Sequence, residues 1–411
     1  MSKSPKLSSA ALATLLAALA MLGPFSIDTY LPAFPAIRLS LSASAIEVQQ
    51  TLTAYLLSFS VMTLWHGALS DAFGRRNVIL VALAVFAVAS FGCASAHSIH
   101  YLWGFRILQG VSAGAGMVIG RAIIRDLYEG APAERLLSLV TMIFSIAPAI
   151  APILGGWVVS YFSWRSIFLI LFAYTLILLW ACYKRLPETL PVEKRQPFSA
   201  EFLWQSYKNV FKSPLFHLKA GTIACNFAGL FLYVSAAPAF ITQHLKLGPA
   251  QFGWQFIPSV GGIFLGALAA NRMAGNLTVW KQVTIGFVFL VGAALCNVVF
   301  HFFFAAMLPW SVIPLFFYCF GMSMVAPGAT LLVLDLFPTI RGIVASCQSA
   351  MVTLLGAVVA GVLAPALDYS ALSLAIGQLA FALIGMTLWY TGRVYWRSMT
   401  AQKQNAWETV G

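Results

Sequence analysis

Charge is what this sequence has least of. Asp and Glu number 12 in 411 residues, and all charged residues together make up 9%, against about 25% in an ordinary soluble domain. So few charges cannot cover the surface of a soluble chain this long, which excludes a soluble enzyme and a disordered chain. The six cysteines (Cys93, Cys182, Cys225, Cys296, Cys319 and Cys347) stand apart in apolar segments. None forms a CxxC or another ligand spacing, so a disulfide scaffold and a thiolate metal site are excluded, and they read as small hydrophobes in helix packing. HExxH is absent, and no pair of histidines has ligand spacing at membrane depth. GxxxxGK[ST] is absent too, so the chain carries no ATP motor of its own. No Ser/His/Asp constellation supports an enzyme.

What the chain has is apolar length. Hydrophobic residues make up 60%, and a membrane-spanning helix needs about 20 of them in a row. Twelve such helices would use roughly 240 residues and leave short loops. The runs are long rather than alternating, which argues against an outer-membrane barrel. They read as helices over 10–34, 46–67, 77–96, 99–121, 135–160, 164–183, 220–242, 250–271, 280–303, 310–336, 342–365 and 370–392. The first is too long for a signal core and carries Asp28, so it reads as a retained span. A polar stretch over 184–219 divides the chain into an N-terminal bundle (1–183) and a C-terminal bundle (220–411) of six helices each. The expected fold is an all-α membrane protein with two pseudo-symmetric halves, a recurrent transporter plan.

The net charge of +12 has a topological explanation. With the N-terminus inside, starting from Lys3 and Lys6, 20 of the 24 Lys and Arg residues fall on the inner side. Arg38, Arg165 and Lys246 fall outside, and Arg106 lies within a helix. The bias places both termini in the cytoplasm and requires an even number of spans. Nucleic-acid binding is then not needed to account for the basic composition.

Two charges lie inside runs, where each costs at least about 2.5–3.5 kcal/mol. Asp28 in the first and Arg106 in the fourth both sit roughly 10 Å below the outer surface at helical rise. They read either as an ion pair holding two helices or as a proton site, since a buried carboxyl beside an arginine is pulled toward both protonation states. Glu47 and Asp335 read as interfacial, and Asp368 as an outer-loop residue.

The segment from Gly67 to Arg76 reads as a tight inner loop with a charged latch. Gly67 and Gly74 permit close turns, and Asp71 stands near Arg75 and Arg76. Asp126, in the next inner loop, is a candidate partner for Arg75. The place matching this loop in the second half, Gly266 through Arg272 to Gly275, keeps a glycine and a base but lacks the acid. The fifth run carries Pro148, Pro152, Gly155 and Gly156, which suit a bent, closely packed helix.

Taken together, these residues resemble the major facilitator superfamily along the whole chain. Gly67-x-Leu69-x-Asp71-x-x-Gly74-Arg75-Arg76 is similar to its loop 2–3 motif, with Ala72 in place of an Arg. Arg106-x-x-Gln109-Gly110 is similar to its helix 4 motif. Ala151-Pro152-x-x-Gly155-Gly156 is similar to its antiporter motif, with Ala151 where Gly is usual. Ser26-Ile27-Asp28-Thr29-Tyr30-Leu31-Pro32-Ala33-Phe34-Pro35 resembles the bicyclomycin-resistance (Bcr/CflA) branch of drug:proton antiporters. Arg125-Asp126-Leu127-Tyr128, Ser163-Trp164-Arg165 and Pro187-Glu188-Thr189-Leu190-Pro191 fit the same branch.

The resemblance implies proton coupling through Asp28 and Arg106, with the loop motif stabilising one face of an alternating-access cycle. It implies proton-driven efflux of small, fairly apolar drug-like compounds across a bacterial inner membrane, as in antibiotic resistance. No cofactor is expected beyond protons as the coupling ion, no metal and no nucleic acid. The expected partners are a small-molecule substrate and the bilayer, and carriers of this kind usually work as monomers. A proton-coupled importer or exporter of a specific metabolite on the same fold stays open. Tyr30, Tyr55, Phe59, Asn226, Phe227, Phe231, Trp254 and Gln348 are the candidate substrate-binding residues, because a drug pocket is apolar with a few polar handles.

Overall fold

The computed structural model describes residues 8–408 except 130, 196–197 and 275. Lys3, Lys6 and Gly275 of the sequence reading therefore lie outside the described residues. The described chain is helical and carries 12 spans long and apolar enough to cross a membrane. They are α1 (Ser9–Ser40), α2 (Ala45–Phe73), α3 (Arg75–Ala94), α4 (Ile99–Leu127), α5 (Arg135–Tyr161) and α6 (Arg165–Arg185). The series continues with α7 (Pro214–Ser235), α8 (Pro249–Met273), α9 (Val279–Phe303), α10 (Ile313–Leu334), α11 (Arg341–Leu367) and α12 (Ala371–Trp396). Large side chains such as Val81, Trp157, Trp180 and Phe302 are more than half exposed, as lipid-facing positions require.

Several helices run further than hydropathy suggested, and two of them bear on the latch. α2 continues through the whole Gly67–Asp71 segment to Phe73, and α3 resumes at Arg75. The latch is therefore the last two turns of a helix and a single-residue break, not an extended loop. Polar residues end a hydropathy run without ending the backbone hydrogen bonds, and Gly74 is what stops the helix. Its φ of 93° suits glycine alone. Likewise α4 reaches Leu127, so Asp126 is helical rather than in a loop. The polar stretch 184–219 also holds a helix, Ala200–Phe211, whose Leu203, Ser206, Tyr207 and Val210 form one buried stripe.

The opposite departure is a break inside α1. Regular helix stops at Asp28, a tight turn covers Leu31–Ala33, and helix resumes over Phe34–Ser40. Pro32 and Pro35 have no N–H to return to the carbonyls of Asp28 and Leu31. The chain tightens instead, with Tyr30 N–H donating to the Ile27 carbonyl at 3.2 Å.

The chain forms two compact units. The first comprises the described residues of Met1–Ser199, Val234–Val260 and Ala357–Tyr369. It thus holds α1–α6 together with the end of α7, the first half of α8 and the end of α11. The second comprises Ala200–Tyr233, Gly261–Gly356 and the described part of Ser370–Gly411. Its core stacks Val283, Phe287, Val325, Ala329 and Trp389. Deeper in this unit Asn297 donates to the Tyr233 hydroxyl at 2.8 Å and to Gln378 Oε1 at 3.0 Å.

Candidate functional site

The break in α1 sets the site. Asp28 is 6% exposed and ends the regular helix. Among the described residues its carboxyl takes part in no ion pair, and no side chain donates a hydrogen bond to it. Arg106 is fully buried on α4. Its Nη1 donates to the Ser26 carbonyl at 3.1 Å and to Gln109 Oε1 at 2.8 Å. Gln109 is held in turn, its Nε2 donating to Ser90 Oγ on α3 at 2.9 Å.

The two buried charges do not form the ion pair that their equal depth allowed. The guanidinium instead lies between two aromatic rings, 4.6 Å from the Tyr30 centroid and 4.4 Å from that of Tyr55. A desolvated cation over such a face gains about 2 kcal/mol. Both rings are fixed by their hydroxyls, Tyr30 to Thr51 Oγ1 at 2.6 Å and Tyr55 accepting from Ser26 Oγ at 2.7 Å. Arg106 Nε and Nη2 are buried without a hydrogen-bond partner. The cage thus holds a positive charge with spare donor capacity, attached to the α1 backbone two residues before a buried carboxyl without an ion-pair partner.

α5 closes this cluster from behind. A side chain at Gly155 would overlap the backbone carbonyl of Thr29, the residue next to Asp28, and one at Gly156 would overlap the Pro249 carbonyl. Pro148 lies in the first turn after α5 restarts at Ala147, and Pro152 lies inside the helix. Gly110 of the helix 4 motif serves the same kind of approach, against the Tyr55 carbonyl.

The latch lies at the far end of α2. Arg75 Nη1 meets Asp71 at 2.5 Å and donates to Ser70 Oγ at 2.6 Å, and Arg75 Nε reaches Asp126 at 3.1 Å. Arg76 donates to the Tyr183 carbonyl at 2.8 Å. Gly67 is open by comparison, since an added Cβ would meet Val118 at an ordinary 3.9 Å.

A profile of the Major Facilitator Superfamily matches residues 15–361. The chain belongs to that superfamily. It is similar to the uncharacterized MFS-type transporter YdgK of Bacillus subtilis, 38% identical over 267 residues, covering 64% of this chain and 66% of that protein. A bicyclomycin resistance protein homolog of Haemophilus influenzae is 29% identical over 256 residues, covering 62% and 64%. The chain therefore spans just under two thirds of the length of these two relatives. Multidrug resistance protein D of Escherichia coli is 28% identical over 329 residues, covering 80% and 82%. The inward-open xylose transporter XylE of E. coli superposes with a TM-score of 0.72 at 14% identity, over 93% of this chain and 96% of that one, a likeness of fold. The chain is a multi-pass member of this superfamily, whose proteins are transporters rather than enzymes.

Within this major facilitator the candidate substrate residues divide by place. Tyr30 and Tyr55 face Arg106, and Phe59 stacks on Tyr55 at 6.1 Å. Trp254 is 49% exposed. In the second unit Phe227 and Phe231 stack at 5.5 Å, Asn226 is buried with neither side-chain polar atom partnered, and Gln348 donates to Thr330 at 3.1 Å.

Glu188 and Thr189, which the sequence offers only as a likeness to a branch of the superfamily, both enter the latch. Glu188 Oε1 accepts from Arg75 N–H at 3.0 Å and Oε2 from Arg76 N–H at 3.3 Å, capping α3. Thr189 donates to Asp126 at 2.8 Å. A carboxylate at a helix start satisfies orphan N–H groups and the helix dipole. The contact spans 113 residues of sequence, so no local pattern announces it. Glu188→Ala is expected to cost about 1–2 kcal/mol. It should lower the melting temperature of the purified protein, with Glu188→Gln falling between; an unchanged value in both would refute the cap.

Proposed function

We propose that this transporter expels small, fairly apolar drug-like compounds across a bacterial inner membrane in exchange for protons. The observation that carries the reading is Asp28, a buried carboxyl without an ion-pair partner at the end of a broken helix, two residues from the backbone carbonyl that Arg106 holds. The relatives named for bicyclomycin and multidrug resistance support the substrate class. The Lys and Arg bias supports cytoplasmic termini, with the Arg75 latch on the inner face.

The cycle follows from linkage. A drug loads from inside while Asp28 is ionised. Exposure to the acidic outer side protonates Asp28, which disfavours the drug-bound state, and the protonated carrier returns. Drug and proton must stabilise different states, because equal binding to both would shift nothing. The halves 1–183 and 220–411, joined by 184–219, are the bodies that alternate, and Gly67, Asp71, Gly74, Arg75, Arg76 and Asp126 hold one of the two states.

Everted membrane vesicles test this. A transported drug should collapse a preformed pH gradient in vesicles carrying the wild type and leave it intact in vesicles carrying Asp28→Asn. A drug response of equal size in both would refute the coupling role. Uptake of a metabolite along the proton gradient would make the protein an importer.

A further inference from the structure

A cavity lies in the first unit, and neither Asp28 nor Arg106 lines it. It measures about 700 Å³, within the range of drug-sized sites. On one side it is lined by the Phe34–Ser40 end of α1 and the start of α2, and on the other by the end of α7 with the residues after it and by Pro365 and Asp368 at the end of α11. Leu39 and Ile46 at its mouth are 81% and 60% exposed, while Gln49 at its base is 8% exposed.

The wall is largely apolar but carries Arg38 and Asp368, charges of opposite sign. Among the described residues neither takes part in an ion pair. The base is a closure: Gln49 donates to the Ser235 carbonyl at 3.3 Å, and the adjacent Gln50 to the Gly361 carbonyl at 2.8 Å. Phe34 meets Tyr30 edge-on at 5.0 Å, so one wall leans on the ring that holds Arg106.

We propose that this cavity binds a drug-sized zwitterion from the outer side, anionic end on Arg38 and cationic end on Asp368, and that the occupant holds the closure shut. A 700 Å³ site with two separated, unneutralised charges matches a ligand carrying both signs on an apolar body. Its walls come from segments that must part for the closure to open, so a ligand touching both favours the closed arrangement. The binding half stands alone; the gating half and the outward orientation rest on the alternating-access reading above.

Three titratable or charged groups meet here. They are Arg38, Asp368 and His244. Half-burial pushes Asp368 above its ordinary value of 3.8, and His244, whose Nε2 bonds the Asp368 carbonyl oxygen at 2.7 Å, pulls it back. Binding of the cationic end is accordingly lost as pH falls through the Asp368 titration.

The test uses tetramethylrhodamine, a zwitterion at neutral pH, and its methyl ester, a cation, with binding read by anisotropy on the purified full-length chain. Arg38→Gln should weaken the zwitterion at least about tenfold and leave the ester unchanged, while Asp368→Asn should weaken both. Excess zwitterion should also slow maleimide labelling of Thr53→Cys, whose side chain lies behind Gly361, relative to the same protein without dye. Equal zwitterion affinity in all three proteins, or equal wild-type affinity for acid and ester, would overturn the site. Unchanged labelling would overturn the gating half. A chain that binds in this way but pumps nothing refutes the efflux reading and leaves the site standing.

Discussion

Arg106→Ala abolishes transport while the protein still assembles: that is the largest effect expected of any single change. The substitution removes two charge-assisted hydrogen bonds, to Ser26 and Gln109, and two ring contacts at 4.6 and 4.4 Å. Each charged hydrogen bond contributes about 1.5–3 kcal/mol and a desolvated ring contact about 2. Losing even half of this from one state of the cycle slows turnover by more than about 100-fold. Arg106→Lys is also expected to fail, because a compact ammonium cannot lie flat between two rings and reach two acceptors at once. Initial efflux rates in proteoliposomes, set beside the melting temperature of each variant, check both. An alanine variant within threefold of the wild-type rate would remove Arg106 from the mechanism.

Gly155→Ala is the second large effect. Its new methyl would overlap the Thr29 carbonyl, a backbone atom that cannot rotate away. Overpacking of this kind costs about 1–3 kcal/mol. The strain falls on the turn that places Asp28, so α1 and α5 must separate where the carboxyl is buried. Transport should fall about 10–100-fold. Gly67→Ala, by contrast, adds a methyl at ordinary contact distance from Val118 and should leave the Asp28 turn undisturbed. Parallel transport assays on the two variants separate close packing from mere glycine loss. Equal rates in both would contradict the packing account.

The contrast between these glycines shows how far the sequence could be read. Twelve spans were legible because each needs an apolar run, and Arg106 was legible because a buried cation is rare in such runs. The ends of α2 and α4 were not, since hydropathy records lipid contact while a helix persists wherever its backbone bonds do. Arg75 meets Asp126 at 3.1 Å, and Asp126 stands in the last turn of a helix rather than in the expected loop. The cage around Arg106 was hidden for another reason. Tyr30 and Tyr55 are ordinary aromatics by pattern, and only the fold brings both rings against one guanidinium from positions on α1 and α2. Pro32 and Pro35 account for the break in α1, where one helix was expected over 10–34, and the carboxyl left at a helix end is seen only in three dimensions.

The central claim is that Asp28 exchanges the proton. The most direct measurement follows proton and drug fluxes together in proteoliposomes under an imposed pH gradient, for wild type and Asp28→Asn. The account predicts that wild type moves drug uphill against an opposing proton flux, and that Asp28→Asn still equilibrates drug down its own gradient but moves none uphill and carries no coupled protons. Uphill transport by Asp28→Asn at the wild-type rate would contradict it.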